Sequence, residues 1–385
     1  MQGVAIIGCG MTRFGQLEDK SLTDLMVESS LKAISDANAS ESDFDAVYVG
    51  NMFSGEFNKI TGIASVLADR INLMPAAADK IENGPASGGS AIKEGFQAVA
   101  SGVSDLVLVT GVEKMTSLPN PRVSSAVATL THQSAEYKYG VTLPSLGGLL
   151  ARLYLKKYNV KRESLSLVAV KNHKNGALNP FAHFQREITL EKALASPIVA
   201  DPLRLYDVCP VSDGAASLVL CPAEKAKQYS DTPVLIKGVG QATDVQIVAE
   251  RDDPTVLEAL RKASEKAYTM AKIKPKDINF AELHDAFTIL EIIQSEDVGF
   301  FKKGEGAKAV EEGKTGLEGE LPINPSGGLK ARGHPVGATG VAQAVEITWQ
   351  LRGEADKRQV SGAETALSVN FGGFGNNIVV HIFQR

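Results

Sequence analysis

Apolar residues along this chain fall into short unbroken runs, and the stretches between them repeat at helical spacing. That alternation predicts an α/β protein. Gly3 to Cys9 is nearly all apolar and reads as a buried strand. Leu22 to Ala37 carries apolar residues three and four apart, with Ser21 where a helix N-cap belongs. A short strand at Ala46–Val49 and a helix at Lys59–Ile71 follow. Leu106 to Val112 is mostly leucine and valine, which predicts a central parallel strand covered on both faces.

The rhythm then breaks. From about Glu113 to Ser212 the chain is rich in proline, asparagine and histidine, with helices near Leu146–Tyr158 and Leu165–Asn179. A stretch this long is read as an inserted lid-like subdomain, since structureless loops of such length are rare. A second α/β series follows: strand Val234–Val239, helix Thr255–Met270, strand Asn279–Leu283, helix Gly340–Leu351, and strands Ala366–Asn370 and Ile378–Phe383. A turn leading into a helix of small residues occurs twice, at Gly84–Gly102 and Gly333–Gly353. The reading divides the chain into residues 1–230, with the insert at 113–212, and residues 231–385.

Composition narrows the picture. At 385 residues, 44% hydrophobic and 22% charged, the chain can bury two cores or one large duplicated one. A net charge of −5 argues against a nucleic-acid or anionic-membrane surface. No apolar run approaches the roughly 20 residues that span a bilayer. Val4–Ile7 follows no basic stretch, so no signal peptide is expected. Cys9, Cys209 and Cys221 form no CxxC pair, which predicts a reducing, cytoplasmic setting and no metal held by this chain.

Several motifs carry the chemistry. Asn324–Gly340 reads NPSGGLKARGHPVGATG, His284–Phe287 reads HDAF, and Ile81–Ser90 reads IENGPASGGS. Gly111–Thr116, Val211–Ala216 and Asn370–Gly375 add three further segments. Together these resemble the thiolases, above all the GHPxGAxG core, and the HDxF segment is similar to that of the sterol-carrier and archaeal branch. The resemblance runs from Gly3 to the C-terminus. It implies the thiolase fold: a duplicated βαβαβαββ core in five αβαβα layers, with both small-residue helices pointing at one cleft.

One position departs from the pattern. Where thiolases place a nucleophilic cysteine, two residues before Ser-Gly, this chain has Pro85. Proline offers neither a nucleophile nor a backbone N–H, and it suits a helix start. The family's C-terminal cysteine is replaced by Asn370, which joins His284 and His334 as the catalytic set. The resemblance implies that His334 is the base, with an ordinary pKa near 6.5 suited to neutral pH. It implies that His284 helps form an oxyanion hole, and that backbone at Ala86, Gly372 and Gly373 approaches the thioester closely. Lys330 and Arg332 are the basic residues placed to meet CoA phosphates. Ser87 is expected to be structural rather than a substitute nucleophile. His132, His173, His183 and His381 lie outside the motifs and read as ordinary histidines, although His173 and His183 could line a substrate tunnel.

Three functions follow from the resemblance. The first is a thiolase-like acyltransferase of acyl-CoA metabolism, of the β-oxidation type, in which CoA itself attacks a 3-oxoacyl-CoA without an acyl-cysteine. The second is a retro-aldolase acting on a 3-hydroxyacyl-CoA. The third is a non-catalytic scaffold subunit. CoA and acyl-CoA are the expected ligands, a branched or aromatic 3-oxoacyl-CoA the expected substrate, and no covalently bound cofactor is expected. The branch implies a homodimer core and a small DUF35-type zinc-ribbon/OB-fold partner, which would carry any zinc.

Overall fold

The computed structural model describes residues 2–385. These residues hold eleven strands: β1 (Val4–Met11), β2 (Ala46–Gly50), β3 (Ala77–Ile81), β4 (Val107–Lys114), β5 (Ile198–Ala200), β6 (Leu203–Arg204), β7 (Asp213–Pro222), β8 (Val234–Thr243), β9 (Phe280–Glu282), β10 (Thr365–Gly372) and β11 (Asn377–Gln384). Nine of them share one mixed sheet, ordered β3-β2-β4-β7-β1-β8-β11-β10-β9, and β5 and β6 form a separate ribbon.

The strand order contains a repeat. β2 is parallel to β3 and β4, and β7 runs antiparallel to both β4 and β1. In the other half β9 is parallel to β10 and bridges in parallel to Ile323, while β11 runs antiparallel to both β10 and β8. The halves meet where Val4–Ile6 of β1 pairs with Val234–Ile236 of β8. A duplication that is faint in the residues is explicit in the pairing.

Five layers result. Helices Leu22–Asp36 and Ile63–Arg70 cover the outer face of the first half with a core that includes Leu25, Met26, Leu67 and Val219. Helices Ser87–Ala100 and Thr339–Arg352 lie between the halves, sharing a core with Val107, Leu218 and Phe383. Helices Glu258–Ala271 and Thr288–Asp297 cover the outer face of the second half. Ser21 caps the first helix through a capping box with Asp24.

Some expectations change on contact with the structure. The predicted helix at Lys59–Ile71 is two helices, Ser54–Asn58 and Ile63–Arg70, because Lys59 and Gly62 take left-handed φ of 58° and 63°. The strand foreseen as central and parallel is parallel to β2 but antiparallel to β7, although it is buried throughout as expected. β3, β7 and the helix Thr288–Asp297 are not among the expected elements. All ten residues of the last are buried, polar Glu291, Gln294 and Ser295 included.

The segment between β4 and β7 holds helices Asn120–Ala128, Leu143–Tyr158, Glu163–Ala177 and Leu190–Leu194. Leu146, Leu150, Tyr154 and Leu165 pack into the same core as Leu283, Ile289 and Ile293. Residues that follow β4 thus fold over the second half, above the cleft.

Candidate active site

The two middle-layer helices approach each other at their glycine-rich first turns. A Cβ on Gly340 would stand 2.3 Å from Gly89 N, and one on Gly88 would stand 2.7 Å from Gly337 O. Only hydrogen fits there. Around these turns lies a cavity of about 170 Å³, lined on its inner side by Pro85, His284, Ala286, His334, Phe371 and Gly373. Its outer wall comes from the inserted segment: Val123, Ser124, Val127, Leu143, Pro144 and Val208 to Val211. Apart from the two histidines, Ser124 and Cys209, the lining is apolar.

His334 has its ring fixed. Its Nδ1 lies 2.7 Å from Thr339 Oγ1, and that hydroxyl donates its hydrogen to the Pro335 carbonyl at 3.0 Å. With that hydrogen on Pro335 O, Thr339 Oγ1 accepts from His334, an arrangement in which the imidazole proton sits on Nδ1. Nε2 is left with a lone pair. Burial, with Arg332 nearby, pulls the His334 pKa down to about 3, so the ring is a neutral base rather than one poised near 6.5.

His284 stands edge-on to His334, with ring centroids 4.9 Å apart and planes at 89°. On its other side it stacks against Phe371 at 5.3 Å. Gln294 clamps its backbone: Oε1 accepts the His284 N–H and Nε2 donates to the His284 carbonyl, each at 2.9 Å. Burial, then the neighbouring His334 and Arg332, holds its pKa well below the ordinary value. Both rings are therefore neutral at neutral pH, able to take or offer a proton without a fixed charge.

The turn that carries Pro85 is closed upon itself. Ala86 N–H donates to Asn83 O and Ser87 N–H to Gly84 O, each at 3.0 Å. The Ser87 hydroxyl donates to Gly84 O at 2.6 Å and accepts from Asn83 N–H at 3.0 Å. Ser87 opens the helix and Ala86 is its cap, so Pro85 precedes the helix instead of occupying its first position. The wall of the cavity at this point has neither a nucleophile nor an N–H donor. Cys209 is the one thiol in the lining, and burial pushes its pKa up to about 12. It is a thiol, not a thiolate.

Other expected site residues lie elsewhere. Asn370 is fully buried behind the cavity, with its Nδ2 donating to Gln343 Oε1 and its Oδ1 beside the glycine turns. It does not line the cavity, because β10 alternates faces and turns Phe371 toward it instead. The Ala86 N–H faces into its own turn and cannot serve an oxyanion. Gly372 is paired with Asn377 in the sheet, whereas Gly373 lines the cavity at a φ of 62°. Arg332 is fully buried against Glu282 at 3.3 Å, and Lys330 is 2% exposed on the short helix Gly328–Ala331. Neither can reach CoA phosphates at a surface.

The remaining histidines have local roles. His173 Nδ1 meets the Arg186 carbonyl, His183 Nδ1 meets Ser212 Oγ, and neither ring lines the cavity. His132 accepts the Ala135 N–H, and His381 is buried in β11.

Some positioning residues had no signal before folding. Glu113, fully buried, accepts N–H groups from Asn51, Met52, Phe53 and Gly337, tying the His334 loop to the end of β2. Asp213 gathers Leu17, Met115 and Thr116 in the same manner. Both acids lie inside segments whose family resemblance had drawn notice, but their partners are far away in sequence.

Comparison with known proteins agrees with this fold. Residues 4–224 match the family model described as the N-terminal domain of thiolase, and residues 240–385 match the one described as thiolase C-terminal domain-like. An acetyl-CoA acetyltransferase of Methanothermobacter thermautotrophicus is 49% identical over all of both chains. Human sterol carrier protein 2 is 32% identical over 100% of this chain and 72% of its own length. Among solved structures, one described as an Ltp2-ChsH2(DUF35) aldolase superposes with a TM-score of 0.85 at 26% identity, covering 99% of this chain and 97% of that one. Human mitochondrial 3-ketoacyl-CoA thiolase shares the fold, with a TM-score of 0.74 at 21% identity over 100% and 99% of the two chains.

Proposed function

This chain belongs to the thiolase family, and from that premise we propose that it makes or breaks a carbon–carbon bond beside a CoA thioester without an acyl-enzyme. The observation that carries this reading is the cavity wall itself. It presents two neutral histidines and, at the position of the family's nucleophile, a proline. The 49%-identical relative bears the name of an acetyl-CoA acetyltransferase, which supports acyl transfer between CoA thioesters as the reaction class.

In the cleavage direction CoA sulfur adds to C3 of a 3-oxoacyl-CoA while His334 Nε2 takes the thiol proton. The C2–C3 bond then breaks, and its electron pair passes into the remaining thioester as an enolate. His284 and the Gly373 N–H are the donors available to hold that oxygen. The proton on His334 returns to C2, giving two acyl-CoA products. Because His334 carries no charge before the reaction, its lone pair is available throughout the neutral range.

A second reading is retro-aldol cleavage of a 3-hydroxyacyl-CoA, favoured by the DUF35-associated aldolase structure that superposes over nearly the whole chain. There His334 would take the hydroxyl proton, C2–C3 would break to a carbonyl and the same enolate, and no CoA would be consumed. That structure also supports a small DUF35-type partner, the subunit to which any zinc would belong. β3 pairs on one side only, so its free edge suits a homodimer. Retention of both histidines in the cavity speaks against a pure scaffold. Among the described residues no helix is long and apolar enough to cross a membrane.

Intact-protein mass spectrometry after incubation with acyl-CoA tests the absence of an acyl-enzyme, and an unchanged mass is expected. An acyl adduct on Cys209 or Ser87 would overturn the mechanism. Product formation with and without free CoA then separates thiolysis from aldol cleavage.

A further inference from the structure

Among the described residues, six lysine and arginine side chains are buried: Lys114, Arg251, Lys330, Arg332, Arg352 and Arg358. Five have partners. Lys114 meets Asp213, Arg251 two carbonyls, Arg332 Glu282, Arg352 Asp36 and Arg358 Glu346. The Lys330 ammonium has neither an ion pair nor a hydrogen bond among the described residues. Its surroundings are aromatic, with the Phe184 ring centroid 5.7 Å and the Tyr206 centroid 5.9 Å from Nζ. A buried ammonium left in such a box is costly without an anion.

Lys330 also lies close behind the cavity. Its backbone N–H donates to Asp285 at 3.3 Å, and Asp285 stands between His284 and Ala286, both of which line the cavity. Cys209 lines the same wall, its N–H donates to Ala286 O at 3.0 Å, and the Lys330 charge acts on its thiol. Lys330, Phe184 and Tyr206 stand outside the cavity lining, and the wall residues tied to Lys330 include the small Ala286 and Cys209. The nearby acids are engaged elsewhere. Asp207 is paired with Arg162, while Asp285 accepts the Leu329 and Lys330 N–H groups and an Asn172 amide. Neither Asp207 nor Asp285 is in salt-bridge contact with the ammonium.

We propose that Lys330 forms an anionic subsite for the acyl half of the substrate, receiving a carboxylate borne on the acyl chain beyond the reacting carbons. The enzyme then acts on CoA thioesters of dicarboxylic acyl groups, with the apolar cavity taking the chain and Lys330 its far end. CoA phosphates are not the occupant, since a side chain 2% exposed cannot meet a group held at the surface. Burial pulls the Lys330 pKa down to about 8, which leaves it charged at neutral pH, and a bound carboxylate would push the pKa back up. The proposal rests on the cavity being the acyl-CoA site.

Titration calorimetry with matched acyl-CoA pairs provides the test: succinyl-, glutaryl- and adipyl-CoA against butyryl-, valeryl- and hexanoyl-CoA. At least one carboxylated member is expected to bind about tenfold or more tightly than its plain counterpart, because a desolvated charge-assisted pair is strong. In Lys330→Met that ratio should fall to about one or below. Equal or weaker binding of all carboxylated members by the natural protein overturns the subsite while leaving the acyl-CoA reading intact. If no acyl-CoA binds at all, that reading fails and the subsite falls with it. The ligand comparison in the natural chain decides the matter even if the variant does not fold.

Discussion

At the residue scale, the proposed mechanism depends on one hydroxyl. With the Thr339 hydrogen on Pro335 O, Thr339 accepts from His334 Nδ1, so the base we propose is prepared by a side chain that need not touch substrate. His334→Ala should lower turnover by about 10²-fold or more, the usual contribution of a positioned base, while acyl-CoA binding measured calorimetrically persists; unchanged turnover would remove it from the mechanism. Thr339→Val should cost about tenfold or more in kcat with little change in KM, because the wrong tautomer forms, and Thr339→Ser should recover most of the loss. Equal losses in the valine and serine variants would point to packing rather than proton placement. Such dependence was legible only in part. His334 and His284 stood out inside their motifs, but nothing in the residues told that Asn370 faces away or that Lys330 and Arg332 are buried. Side-chain direction on β10 and burial of the Gly328–Ala331 helix are settled by what packs above them.

At the scale of elements, the site exists because two helices meet where neither has a side chain. Gly89 sits against Asn370, and a Cβ there would stand 2.2 Å from Asn370 Oδ1. Gly89→Ala should therefore destabilise the protein by about 1–3 kcal/mol, the range for overpacking, as read from denaturant midpoints. In an Asn370→Ala background the clash falls away, since the next contact there is with the Asn370 Cβ at 3.2 Å, and the penalty should shrink. Additive losses in the double variant would show that the two residues do not meet as described. Helices with a polar stripe, such as Leu22–Asp36, were readable from their periodicity. Thr288–Asp297 carries polar residues at the same spacing, Glu291, Gln294 and Ser295, yet all of them are buried, which only the packing around the helix decides.

At the scale of the molecule, buried titratable groups set the response to pH. Burial lowers His173 to about 4, His334 and His381 to about 3, and His284 well below its ordinary value. Below about pH 6.5 the unfolded chain protonates these four while the folded chain does not, so each loses stability as pH falls. Glu113, Glu282 and Asp285, raised by burial to about 7, act oppositely. The folded form binds their protons first, which adds stability as pH falls from 7 toward about 4.5. The two sets offset in that window, and below it the histidines act together with carboxylates held below their ordinary range, such as Asp24 and Asp253. Urea midpoints should change little between pH 7 and 5 and drop sharply from 5 to 3.5; a steady rise down to pH 4 would contradict the burial of these rings as neutral groups. The sequence by itself determined the α/β class, the thiolase family and the place of Pro85 in its motif, because those reside in local runs and contiguous motifs. Tertiary structure alone decided the mirrored sheet order, the Thr339 contact of His334, the buried clamps of Glu113 and Gln294, and the solitary charge of Lys330. Each of these depends on partners distant along the chain, and only the packed fold brings them within reach.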